Sequence, residues 1–122
     1  MLDHVTLQVA DLPACTAFYD AVVPALGASQ LQDLGRAVGY GVDRPSLWIS
    51  VAPSREDASG IHVALAAADH DAVVAFWKAA TDQGAESLRE PGTWAEFHES
   101  YFGAIVRDPG GNTVEAVCLV TE

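Results

Sequence analysis

Positive charge is scarce in this sequence. Its 122 residues hold 6 Lys and Arg against 17 Asp and Glu, a formal net charge of −11 with neutral histidines. Lys78 is the single lysine, and the arginines are scattered at Arg36, Arg44, Arg55, Arg89 and Arg107. Nucleic-acid binding needs clustered cations to neutralise phosphates, so no nucleic-acid partner is expected. An anionic membrane surface is disfavoured for the same reason. Long apolar runs are also missing, and none approaches the roughly 20 residues that span a bilayer. Met1-Leu2-Asp3-His4 lacks the basic region and apolar stretch of a secretion signal, so the expected location is cytoplasmic. Cys15 and Cys118 show no CxxC or zinc-finger spacing and read as reduced thiols. A nucleophile elbow, a phosphate loop and a dinucleotide fingerprint are absent too. What remains is half hydrophobic and only 19% charged, unlike a disordered chain. The length suits one domain, residues 1–122, able to bury its own core.

Compared with itself, the chain shows an internal repeat. Asp3-His4-Val5-Thr6-Leu7-Gln8-Val9-Ala10-Asp11, followed by Phe18-Tyr19, returns 58 residues later as Ile61-His62-Val63-Ala64-Leu65-Ala66-Ala67-Ala68-Asp69, followed by Phe76-Trp77. This predicts two modules, about 1–54 and 58–122, joined by the polar stretch Pro53–Gly60. In the first, residues 3–9 alternate like a half-buried strand. Asp11 caps a helix with Pro13 in its first turn. That helix runs to about Leu26, with Pro24 distorting its end and Gly27 stopping it. Strands are expected near 29–33, 37–42 and 46–52. In the second module a strand at 61–67 precedes a helix at 70–83, capped by Asp69 or Asp71 and ended by Gly84. Val73, Phe76, Trp77 and Ala80 form its apolar stripe. Strands are expected near 85–89, 101–107 and 113–120, the last two joined by the turn Asp108–Asn112. Strand, helix and three strands, done twice, is an α+β arrangement with helices on one face of each sheet.

Strand parity sorts the residues by face. If Val5, Leu7 and Val9 pack on helices, His4, Thr6 and Gln8 face away. By the same rule His62, Ala64 and Ala66 face away in the second module, as do Ser46, Trp48 and Ser50, and Thr113, Glu115 and Val117. The free faces therefore carry two imidazoles, one carboxylate and an indole among small side chains. Two imidazoles and a carboxylate suit a divalent transition metal with open coordination positions, which makes His4, His62 and Glu115 the candidate ligands. Trp48, at the position equivalent to Glu115, cannot ligate. It is read as a wall of the substrate pocket, with Thr6, Gln8 and Ser50 beside it.

The segment Pro91–Tyr101 reads as a long loop, a frequent setting for binding residues. His98 within it is a candidate general acid or base, because imidazole titrates near neutrality. Tyr101 is a candidate proton or hydrogen-bond donor to a substrate oxygen. His70 is read as a surface residue at the start of the second helix.

These same residues resemble a known family. Asp3-His4-Val5-Thr6-Leu7 with Phe18-Tyr19, Ile61-His62-Val63-Ala64, and Tyr101-Phe102-Gly103-Ala104-Ile105-Val106-Arg107-Asp108-Pro109-Gly110-Gly111-Asn112-Thr113-Val114-Glu115 look like the vicinal oxygen chelate superfamily. That group contains glyoxalases, bleomycin-resistance proteins and extradiol dioxygenases. The resemblance implies paired βαβββ modules, with mixed sheets curled into a cup and helices outside. It implies metal ligands at His4, His62 and Glu115, with Trp48 in the remaining slot. It also implies a divalent ion (Fe, Mn, Ni or Zn), a small-molecule substrate held through two adjacent oxygens, and a homodimer. Extradiol ring cleavage and glyoxalase-like isomerisation or lysis are both open on this basis. The alternative is a metal-free protein of the bleomycin-resistance type that sequesters a small molecule.

Overall fold

A computed structural model of the chain describes residues 1–54, 60–97 and 99–119. The first module runs β1 (Val5–Val9), α1 (Leu12–Val22), a 3-10 turn (Val23–Leu26), β2 (Ser29–Asp33), β3 (Ala37–Gly41) and β4 (Pro45–Val51). The second runs β5 (His62–Ala66), α2 (His70–Asp82), β6 (Ser87–Thr93), β7 (Phe102–Arg107) and β8 (Thr113–Cys118). Each module forms one four-stranded mixed sheet, ordered β1-β4-β3-β2 and β5-β8-β7-β6. The helix is a crossover, so each module's first strand lies parallel to its last, β1 beside β4 and β5 beside β8. Neither sheet closes on itself, and the α+β arrangement of two strand-helix-three-strand modules is the one the repeat predicts, consistent with the curled cup that the resemblance implies.

The helix ends follow from the local sequence. Asp11 accepts a hydrogen bond from the Ala14 amide at 3.0 Å, and Asp69 accepts one from the Ala72 amide at 2.8 Å. Asp69 is therefore the cap, and Asp71 sits in the first turn, where its charge complements the helix dipole. The first helix keeps α geometry only to Val22. Pro24 supplies no amide hydrogen, and the chain tightens into a 3-10 turn that ends at Gly27, with φ +76°.

The second strand of the second module departs from expectation. It spans Ser87–Thr93 rather than 85–89, so Pro91 and Gly92 belong to a strand and the following loop is shorter than predicted. This strand is the sheet edge, where proline's missing donor removes no ladder bond. Its pairing shifts between Ser87 and Arg89 and again between Arg89 and Gly92. The last strand ends at Cys118 rather than 120, and Val120 lies outside the described residues.

Parity holds for the packed faces. Leu7, Val9, Val38, Tyr40, Leu47 and Ile49 pack with Cys15, Phe18, Tyr19 and Val22 of α1. Val73, Phe76 and Ala80 of α2 join the same cluster with Ala104, Val106, Val114, Ala116 and Cys118. Trp77 of the expected stripe is only half-buried, and its indole N–H donates to Ser87 Oγ at 2.8 Å. Both cysteines are buried and free.

A polar clasp ties the modules together. The buried Tyr19 hydroxyl donates to Asp108 Oδ2 at 2.5 Å. Asp108 Oδ1 accepts from the amides of Gly110 at 2.9 Å and Asn112 at 2.8 Å. Asn112 Oδ1 in turn accepts from the Ile61 amide at 3.0 Å. The Asp108–Asn112 turn is thus a satisfied buried network that positions β5 and β8 against α1.

Candidate functional site

The parallel pairing of β5 with β8 sets the site. His62 lies opposite Thr113, and Ala64 lies opposite Glu115. Ala64 is too small to cover the carboxylate, so the imidazole one pleat away reaches it. His62 Nε2 stands 2.8 Å from Glu115 Oε1. The Glu115 side chain is 4% exposed and the His62 side chain 54%, so a buried acid meets a solvent-facing base. The second carboxylate oxygen, Oε2, accepts a hydrogen bond from the Tyr101 hydroxyl. Burial, and then the bond to Glu115 and its charge, push the Tyr101 phenol up to about 12.

An aromatic wall backs Tyr101. Trp94 stacks on it with ring centroids 5.3 Å apart, and Phe97 lies at 5.3 Å on a tilt. The Arg89 guanidinium sits 4.0 Å over the Trp94 ring and is held by Glu96 at 3.1 Å. Gly103 makes room for this wall, because a Cβ there would stand 3.2 Å from Trp94 and 3.3 Å from Tyr101. Sequence reasoning gave Trp94 no role, although it is buried. The spacing of Trp94, Phe97 and Tyr101 was the available signal. Its meaning depends on Gly103 across the strand.

The other sheet carries the remaining candidates. Thr6 lies opposite Trp48, and Gln8 opposite Ser50. Thr6 and Gln8 are exposed, Trp48 and Ser50 partly so, as parity predicts. Trp48 lies over Gly39, where a Cβ would be 3.0 Å from the indole. His4 precedes β1 and is exposed, with Nδ1 2.8 Å from Asp3 Oδ1. The small residues Ser46, Ala64 and Ala66 line a cavity of about 280 Å³ together with Val23, Leu26 and Tyr40.

His62, Glu115 and Tyr101 therefore come together, while Thr6, Gln8, Trp48 and Ser50 stand on the first sheet and His4 lies just before its first strand. Among the described residues, no three His, Cys, Asp or Glu side chains of one chain gather as a metal-holding group. His98 lies outside the described residues. His70 is not a simple surface residue: it is partly buried, and its ring stacks on Phe102 at 3.9 Å.

A family model described as the Glyoxalase/Bleomycin resistance protein/Dioxygenase superfamily matches residues 1–116. No curated protein sequence matches the chain. Among solved structures, a glyoxalase/bleomycin resistance protein from Albidiferax ferrireducens is 25% identical with a TM-score of 0.82, over 97% of this chain and 98% of that one. The fosfomycin resistance protein FosX from Mesorhizobium loti is 18% identical with a TM-score of 0.69, over 97% and 91%. A lactoylglutathione lyase from Agrobacterium tumefaciens is 20% identical with a TM-score of 0.68, over 97% and 92%. At such identities the last two likenesses speak for the fold alone.

Proposed function

The chain belongs to the Glyoxalase/Bleomycin resistance protein/Dioxygenase superfamily, and we propose that it is a metal-dependent enzyme acting on a small substrate through two adjacent oxygens. The observation that carries this is the buried Glu115 carboxylate paired with the exposed His62 imidazole at 2.8 Å. The donor set fits a divalent ion. Two ligands about 2.1 Å from one ion and at right angles to each other stand about 3 Å apart. Imidazole and carboxylate together suit Fe(II), Mn(II), Ni(II) or Zn(II). The exposed side of His62 leaves room for substrate.

The third ligand is His4. It does not join His62 and Glu115 within a chain, so we take it from a second copy in a homodimer. Thr6, Gln8, Trp48 and Ser50 of that copy then form the opposite wall of the pocket. When bound, the metal supplies Lewis-acid stabilisation of an enolate, catecholate or related oxyanion. Tyr101 stays protonated at neutral pH and gives its one hydroxyl hydrogen to Glu115 Oε2, so its part is to orient that carboxylate rather than to donate to the oxyanion. His98 is the proposed proton-transfer group. The reaction class is ring-cleaving oxygenation, isomerisation or lysis.

Elemental analysis of protein purified without added metal tests this. Stoichiometric metal, lost in His62→Ala, is the expected result. Metal-free protein that binds a cationic aromatic compound tightly would instead establish the sequestering alternative, which a net charge of −11 favours.

A further inference from the structure

We infer that Asp3 is a positioning residue that fixes His4 as a metal ligand through Nε2. The inference rests on the proposed metal site and concerns a residue that site does not include. Asp3 Oδ1 lies 2.8 Å from His4 Nδ1. A carboxylate only accepts, so Nδ1 carries a hydrogen, and in the neutral ring Nε2 then keeps its lone pair. A hydrogen bond at one imidazole nitrogen selects the other for metal and makes it more basic.

Asp3 is itself held. Arg44 Nη2 lies 3.1 Å from Asp3 Oδ2 and donates to the Asp3 carbonyl at 3.3 Å. The contact follows from strand register. Val5 pairs with Leu47, which brings the residues just before β1 beside those just before β4. Each carboxylate oxygen thus has its own partner, one imidazole and one guanidinium. The side chain is pinned on the surface rather than free to ligate.

The repeat shows that this arrangement belongs to one module. The residue before His62 is Ile61, which has no side-chain acceptor to offer. His62 turns Nε2 toward Glu115 instead. His4 therefore has its carboxylate on Nδ1, which leaves Nε2 for a metal, whereas His62 meets its carboxylate through Nε2, the nitrogen that would pass to an ion bound between the two.

Cobalt(II) titration of the full chain by calorimetry tests the assignment, with thermal melting of the metal-free proteins as the folding control. Asp3→Ala is expected to weaken cobalt binding about 10- to 100-fold with little change in melting of the metal-free protein. Asp3→Asn keeps a neutral acceptor in place and is expected to recover part of that loss. A residue that served only to hold the strand end would show no such recovery. Unchanged affinity in Asp3→Ala, or equal losses in Asp3→Ala and Asp3→Asn, overturns the assignment. His62→Ala separates the two levels. If it abolishes cobalt binding while Asp3→Ala leaves binding unchanged, only the role of Asp3 fails. If the parent protein takes up no cobalt, or His62→Ala binds like the parent, the metal site fails and the role of Asp3 with it.

Discussion

The His62 imidazole and the Glu115 carboxylate meet at 2.8 Å although 53 residues separate them in sequence. The crossover helix brings them together, because it lays the first strand of the module parallel to the last. In the first module the same topology sets Thr6 against Trp48, so one sheet offers an acid where the other offers an indole.

Glu115 can be separated into charge and shape. Glu115→Gln keeps an acceptor for the Tyr101 hydroxyl, so the variant is expected to stay folded and lose metal. Glu115→Ala leaves that hydroxyl without its acceptor and is expected to cost about 1–3 kcal/mol of stability. Urea denaturation and metal analysis of both variants check this. Equal destabilisation by the two substitutions would contradict it.

The Tyr19–Asp108 clasp makes a prediction outside the site. Tyr19→Phe removes the donor to a buried carboxylate oxygen and opens no cavity. A loss of about 1–3 kcal/mol in urea denaturation is expected. A loss below a few tenths would mean that water replaces the phenol at no cost.

Alkaline pH is expected to weaken the fold. Burial, followed by the charge of Asp108, raises the Cys15 thiol to about 12 from its ordinary 9.0. Burial first, and then Asp108, raises the Tyr19 phenol above its ordinary 10.0; Tyr40 is raised by burial and by its bond to Asp20. Between the ordinary and raised values the folded state holds more protons than the unfolded state, so stability falls as pH rises. The contribution is complete below about pH 9 and is lost progressively above it. Urea midpoints measured from neutral to alkaline pH should decline over that window, and a flat profile contradicts the assignment.

Gly103 is predicted to be sensitive to added side-chain bulk. A Cβ there would stand 3.1 Å from the Ala116 carbonyl oxygen and press on Trp94 and Tyr101. Gly103→Val is expected to cost about 1–3 kcal/mol through overpacking and to shift the near-ultraviolet signal of Trp94. An unchanged signal would show that the aromatic wall gives way freely.

Features with local causes were legible in the sequence. Val5, Leu7 and Val9 alternate because one face of β1 is buried, and Asp11 and Asp69 cap their helices within three residues. The repeat exposed the module pattern, and parity placed His62 and Glu115 on one face. Strand β6 was not legible beyond Arg89, because Pro91 and Gly92 carry turn signals that an edge strand tolerates. Trp94 was missed because its burial depends on Gly103 across the strand. Parity also could not say whether His4 meets His62 in one chain or between two. Helix packing and the Tyr19–Asp108 clasp, which joins residues 89 apart in sequence, set how the two modules of one chain meet.

Complementation between two inactive chains tests the two-chain site most directly. His4→Ala and His62→Ala are each expected to bind no metal alone. When they are unfolded together and refolded in equal amounts, a mixed dimer holds one intact site and one doubly damaged site. Recovery of metal in about a quarter of all sites is the expected result for random pairing. No recovery in mixtures shown to contain mixed dimers, or metal retained by the His4→Ala protein alone, would contradict a centre shared between chains.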